Sequence, residues 1–249
     1  MMREETVFGP IFSRRLGSSL GINLLPRNGK VCNFDCIYCE CGWNADGLED
    51  RVLPTAADVR EALEQKLREC AEKGIGIDSI TFSGDGEPTL NPEFPEIIDL
   101  TLELRDRYYP KAVVSVLTNA TRAGVEEVFQ ALRKVDNPIL KLDAPTDGGV
   151  ALINRPVGKY SVRDVVGSMK RFEGGFVLQT MFLKAPEFES SEWVEQWMEI
   201  VREIRPREIM VYTIDRETPM KGLQKYTPAE MRALVQPLID EGYNIQIKG

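Results

Sequence analysis

Short runs rich in apolar and β-branched residues alternate along this chain with segments of helical period, and that alternation restricts the fold more than any other feature. The runs cover 20–25, 79–83, 113–117, 139–143, 177–183 and 209–214, with a further short one at 244–247. Between them, Thr55 caps a periodic stretch that stops before Gly74, and Thr227-Pro228-Ala229-Glu230 combines a cap, a proline at the first helical position and a capping-box acid. Strands apolar throughout are buried on both faces, and strands joined through helices run parallel. The sequence therefore predicts an α/β fold, a parallel sheet with outer helices. Six strand–helix units fall short of the eight in a complete barrel, which leaves an open, partial barrel and a doubly wound sheet. Both place ligands at the C-terminal ends of the strands. No Gly/Ser linker, low-complexity tract or internal repeat divides the chain, so residues 1–249 are expected to form one domain.

Composition removes several kinds of chemistry. The 249 residues contain no histidine, which excludes Ser-His-Asp triads, His-bearing zinc motifs and imidazole acid–base catalysis. With 31 basic and 39 acidic residues the formal charge is −8, so a long nucleic acid would need a local basic patch. The start, Met1-Met2-Arg3-Glu4-Glu5-Thr6, carries acids where a secretion signal needs an apolar run, and no stretch is apolar enough to span a membrane. A cytoplasmic location without a membrane partner is expected. Three of the five cysteines fall in one short loop, a pattern of metal or redox chemistry rather than disulfide stapling.

That loop, 31–41, contains Cys32-Asn33-Phe34-Asp35-Cys36-Ile37-Tyr38-Cys39, a CxxxCxxC spacing. Thiolates suit iron–sulfur clusters, zinc or copper(I); a cluster usually takes four, so three leave one iron open. Two simpler structures compete. The same spacing is one face of a helix, although Phe34, Ile37 and Tyr38 would then crowd the other face, and zinc would need Cys41 as a fourth ligand. A second motif follows the strand at 80–83: Gly84-Asp85-Gly86-Glu87-Pro88-Thr89-Leu90. It lacks the Lys-Ser/Thr of a Walker loop and the last glycine of GxGxxG, so it is either a turn or a place where Glu87 meets an α-amino group.

Together the two motifs resemble the radical S-adenosylmethionine (SAM) superfamily: Cys32, Cys36 and Cys39 in order, aromatic Tyr38 before the last, and Asp85-Gly86-Glu87-Pro88 in the place of GGEP. Stretches 21–41, 83–92, 141–145, 154–156, 179–183 and 212–219 are similar to the subgroup of wybutosine-synthesis (4-demethylwyosine-forming) enzymes. The resemblance implies a partial (β/α)6 TIM-like barrel and a [4Fe–4S] cluster held by Cys32, Cys36 and Cys39. It implies reductive cleavage of SAM to a 5′-deoxyadenosyl radical that takes hydrogen from a substrate. Tyr38 is then expected near adenine, with Gly84, Asp85, Gly86 and Glu87 around the methionine amino group. Lys141 and Asp143, on the same side of a strand, become candidates for the SAM carboxylate and ribose; otherwise they form an ion pair. Asn119 is a ribose candidate or a turn residue. Arg155 and Arg216 are candidate substrate cations. Cys70 continues the helical stripe of Val59, Leu63 and Leu67 and is expected in the core, and Cys41 is expected to be a spare thiol or a substrate contact.

The implied partners are an acidic electron donor such as flavodoxin or ferredoxin, and a small-molecule, tRNA or protein substrate. Arg3, Arg14, Arg15, Arg27 and Lys30 against Glu4 and Glu5 make residues 1–30 locally positive, either a docking flank for such a donor or for a phosphorylated substrate, or a solvated basic segment. The alternatives are tRNA guanosine modification of the wybutosine type, activation of a glycyl-radical enzyme, and a non-catalytic zinc or iron–sulfur module.

Overall fold

The structure is a computed structural model describing residues 5–13, 17–27, 29–47, 51–184 and 191–249. Arg3, Arg14 and Arg15, three cations of the expected basic flank, lie outside the described residues. Lys30 is buried, so it adds no surface charge to that flank. The chain divides into two compact units. The first comprises Met1–Cys32, Asn44–Thr118 and Val125–Pro138; the second comprises Asn33–Trp43, Asn119–Gly124 and Ile139–Gly249.

In the first unit, strand β1 (Val7–Ser13) pairs antiparallel with β2 (Gly17–Ile22), and β2, β3 (Ser79–Phe82) and β4 (Val113–Thr118) run parallel, with Ile22 opposite Phe82 and Phe82 opposite Val116. Helices α1 (Ala56–Glu72), α2 (Phe94–Tyr108) and α3 (Glu126–Lys134) follow β2, β3 and β4 in turn. All four residues of β3 are buried, as a strand covered on both faces requires. Helix α1 begins where the sequence places it: Thr55 accepts from the Asp58 N–H and the Asp58 carboxylate accepts from Thr55 N. Its inner stripe, Val59, Leu63, Leu67 and Cys70, is buried, and each large apolar side chain there contributes roughly 1.5–3 kcal/mol.

In the second unit, β5 (Asn137–Lys141), whose last three residues belong here, is followed by parallel neighbours β6 (Val177–Met181), β7 (Glu208–Tyr212) and β8 (Ile245–Lys248). Helices α4 (Asp147–Ile153), α5 (Val162–Lys170), α6 (Ser191–Ile204) and α7 (Pro228–Asp240) lie between these strands along the chain. Among the described residues no helix is long and apolar enough to cross a membrane.

Two sequence expectations are corrected. Strand β1 was not anticipated, because Gly9-Pro10 interrupts its apolar run; the pairing does break register between Phe8 and Ile11 but resumes at Ile11. Several ladders also end one to three residues sooner than the apolar runs do. Leu24, Leu25, Leu142, Phe182 and Leu183 are buried beyond the last paired residue, so the runs record burial rather than strand.

The cap of α7 gives a pH prediction. Glu230 accepts from Thr227 N and Thr227 Oγ1 and pairs with Lys184, and these interactions, Lys184 foremost, hold its carboxyl at about 2, below the ordinary 4.5. A carboxyl lowered in the folded state stabilises fully above its unfolded pKa and loses that contribution as pH falls. Acid titration should therefore release the cap between pH 4.5 and about 2. Glu230→Gln should flatten the stability change in that window; an unchanged acid limb in urea melts would contradict it.

Candidate functional site

In the first unit the Asp85-Gly86-Glu87-Pro88 loop leaves β3 and is held from two sides. Asn23, one residue past β2, accepts through Oδ1 from Leu25 N at 3.1 Å and Asp85 N at 3.2 Å. A side chain on Gly84 would put Cβ 2.0 Å from that oxygen. Gly86, at φ +140°, lies against Val31: Val31 N donates to Asp85 O, Glu87 N donates to Val31 O, and a Cβ on Gly86 would sit 1.9 Å from the same carbonyl. No side chain fits at either position. Cys32 therefore follows directly on a residue stitched to this loop, and its own carbonyl accepts from Asn44 Nδ2. Glu87 is buried, and its Oε1 accepts from Thr89 N at 3.1 Å, Thr89 Oγ1 at 2.6 Å and Thr118 Oγ1 at 2.6 Å. The hydroxyls fix a carboxylate at the C-terminal end of β4, where an ammonium or other donor would find a ready acceptor.

The second unit holds Cys36 and Cys39 on a loop anchored by a polar network. Tyr38 donates its hydroxyl to Asp143 Oδ2; Asn154 Nδ2 lies 2.6 Å from the same oxygen, and Met181 N donates to Oδ1 at 2.9 Å. Asp143 is fully buried at its side chain, so this is a desolvated carboxylate with internal donors on both oxygens. Lys141 donates to Tyr38 Oη at 2.9 Å and Tyr212 Oη at 2.6 Å, stands 3.8 Å from Asp143, and lies over both rings at 5.1 and 5.2 Å from their centroids. Burial alone would lower the Lys141 pKa, but Asp143, Tyr212 and Cys36 together raise it, so the ammonium stays charged. Burial first, then Asp143, pushes the Tyr38 phenol well up and keeps it a neutral donor. Burial also pushes the Cys36 thiol up to about 11, against the opposing charge of Lys141.

The loop is fixed at its start as well. Asn119 Nδ2 donates to Asn33 Oδ1 at 2.6 Å, Asn33 Nδ2 donates to Thr121 Oγ1, and Asn119 Oδ1 accepts from Thr121 N and Oγ1. Asn119 thus makes an Asx-type turn and ties it to the cysteine loop. The candidate cations meet residues on or just past the cysteine loop: Arg155, at φ +47°, places its guanidinium 4.9 Å from the Trp43 ring centroid, and Arg216 pairs with Glu40 at 2.7 Å with both side chains exposed. Asn154, Tyr212, Asn33 and Thr118 were not singled out from sequence. A lone Asn, Thr or Tyr carries no spacing signal.

Among the described residues no three Cys, Asp or Glu side chains converge as the ligands of one ion would. A cluster makes a different demand, since each thiolate takes a separate iron. Within the second unit two soft donors, Cys36 and Cys39, with the Asn154 amide N–H directed at Cys36, suit the chemistry of such a group.

A family model for the radical SAM superfamily matches residues 29–176, more than half of the chain, and the chain belongs to that superfamily. Its members typically bind a [4Fe–4S] cluster and SAM, require an electron donor and are enzymes. A Brachyspira hyodysenteriae protein named GTPase Obg is 29% identical over 236 residues, 92% of this chain but 33% of that one, so the chain spans about a third of this relative. A UPF0026 protein of Synechocystis is 29% identical over 252 residues, covering 96% of this chain and 89% of its own. Among solved structures, a radical SAM methyltransferase from Sphaerobacter thermophilus gives a TM-score of 0.70 at 15% identity, over 95% of this chain and 67% of that one. Streptococcus suis SuiB bound to S-adenosylmethionine gives 0.65 at 18% identity, over 89% and 49%. TYW1 with a lysine–pyruvate adduct gives 0.63 at 14% identity, over 92% and 76%. These likenesses are of fold, and they establish the α/β class with the partial TIM-like barrel that the resemblance implied.

Proposed function

We propose that this protein is a radical SAM enzyme in which Cys32, Cys36 and Cys39 hold a [4Fe–4S] cluster and residues 1–249 act as a single catalytic domain. The observation that carries this is the span of the family match, 29–176, which contains both the three cysteines and the Asp85-Gly86-Glu87-Pro88 loop. Bound there and reduced, a [4Fe–4S] cluster would supply the one electron for reductive cleavage of SAM to methionine and a 5′-deoxyadenosyl radical, the species that would take a hydrogen atom from substrate. The protein's own residues do the positioning. Glu87, held by Thr89 and Thr118, accepts from the methionine amino group, and the backbone around Gly84, Asp85 and Gly86 shapes that cradle. Tyr38 would lie near adenine while its hydroxyl stays on Asp143. Lys141 keeps a positive charge for the SAM carboxylate, and Asp143 and Asn119 act here by anchoring the cysteine loop. Arg155 and Arg216 remain the cations proposed for substrate. The electron comes from a flavodoxin- or ferredoxin-type donor in a reducing cytoplasm.

The similarity of stretches 21–41, 83–92, 154–156 and 212–219 to the wybutosine-synthesis subgroup favours one narrower reading, modification of a guanosine in tRNA. Binding of tRNA needs several phosphate contacts and would show as a steep fall of affinity with salt, and a formal charge of −8 weighs against it.

Anaerobic reconstitution with iron and sulfide, followed by SAM and a strong reductant, tests the main proposal. Methionine and 5′-deoxyadenosine should appear in equal amounts. One bound zinc per chain with SAM left intact would instead identify a structural metal module. Label transfer into 5′-deoxyadenosine from purified tRNA, set against fractionated small molecules and proteins, separates the substrate classes.

A further inference from the structure

We infer that Asn154 is a positioning residue for the iron–sulfur centre, its side-chain amide donating to the Cys36 sulfur and thereby favouring the reduced state. This rests on the cluster assignment proposed above.

Asn154 closes helix α4 and is fully buried. Its Nδ2 lies 2.6 Å from Asp143 Oδ2, 3.3 Å from Cys36 Sγ and 3.3 Å from Tyr38 Oη. An amide nitrogen has two hydrogens. The shortest contact takes one to the carboxylate, and the other is left for the sulfur side. The orientation follows from the neighbours, because a flipped amide would set its oxygen against a carboxylate and a sulfur, acceptors both. Asn154 Oδ1, in turn, is buried without a hydrogen-bond partner. Burying an unsatisfied acceptor is unfavourable, and here it accompanies an amide whose hydrogens both lie on the acceptor side.

The backbone around Asn154 is committed to the same loop. Asp35 N donates to Asn154 O at 2.8 Å, Ile37 N to Ile153 O at 2.9 Å, and Val157 N to Asn33 O at 2.8 Å. Arg155 turns the chain back along the loop in the left-handed region, an unusual place for a residue other than glycine. The amide is thus carried on a segment registered to the cysteines residue by residue. A hydrogen bond to a cluster thiolate withdraws charge from the sulfur and raises the reduction potential. It also strengthens when the sulfur is anionic.

The test compares the reconstituted parent with Asn154→Ala in a redox titration followed by EPR. The ratio of reduced to oxidised cluster at a fixed potential should fall about tenfold in the variant, which is 59 mV for a one-electron couple. Pulsed EPR in D2O should lose an exchangeable deuteron coupling. If the parent forms no cluster, the proposed function and this inference fall together. If the parent forms one and a folded Asn154→Ala keeps the same potential and the same coupling, only the inference falls, and Asn154 is a structural clamp. Should the alanine variant not fold, Asn154→Ser replaces it: loss of the coupling or a lowered potential supports the inference, and parental values of both overturn it.

Discussion

Cys36→Ala will hold little iron after anaerobic reconstitution and release no 5′-deoxyadenosine from SAM, while the folding of the metal-free chain changes by less than about 1 kcal/mol. Both halves follow from the same surroundings. A three-thiolate centre has no spare ligand, since losing one leaves two irons without protein donors. The metal-free fold, by contrast, uses this thiol weakly. Its sulfur accepts from Asn154 at 3.3 Å, but that amide keeps the Asp143 carboxylate at 2.6 Å when the sulfur is gone. Burial holds the thiol neutral, so no buried charge is lost with it. Cys41→Ala serves as the contrast: it lies outside the CxxxCxxC motif, and iron content and SAM cleavage should both survive. Iron and sulfide assays with chromatography of the nucleoside product decide the matter. Full SAM cleavage by Cys36→Ala would remove it from the ligand set.

What the sequence made legible follows from where its signals are local. The capping boxes at Thr55 and Thr227 and the buried stripe of α1 depend on residues three or four apart, and the structure forms both. The parallel strands were visible because burial on two faces leaves an uninterrupted apolar run. Their C-terminal limits were not, because Phe182 and Leu183 stay buried after the ladder stops. The cysteines and the DGEP loop announced themselves by spacing, but the reason for the glycines did not. Gly86 answers to Val31 and Gly84 to Asn23, contacts between residues more than fifty positions apart. Asn154 likewise has no local signature: its partners Cys36 and Asp143 come from a loop and a strand end that only the fold brings together.

Asp143→Ala should cost the folded chain about 3–5 kcal/mol, the range for removing one member of a buried ionic network. The carboxylate has no exposed side-chain surface, and four groups depend on it: the Tyr38 hydroxyl, the Asn154 amide, the Met181 N–H and, at 3.8 Å, the Lys141 ammonium. Alanine leaves three donors unpaired and one charge without its counter-charge, each carrying a desolvation penalty that water cannot relieve. Asp143→Asn preserves volume but turns one acceptor into a donor facing donors, so it should recover only part of the loss. Removing the cation as well separates charge from hydrogen bonding: Lys141→Met added to Asp143→Ala should cost less than the sum of the two single changes. Because Tyr38 and Asn154 hold the cysteine loop through this one residue, cluster loading should fall even at temperatures where Asp143→Ala remains folded. Urea melts of the metal-free variants supply the energies, and iron content after reconstitution supplies the second readout. A loss below about 1 kcal/mol for Asp143→Ala would mean that the loop is secured by its backbone bonds to the 153–157 segment, and that the buried carboxylate is incidental to it.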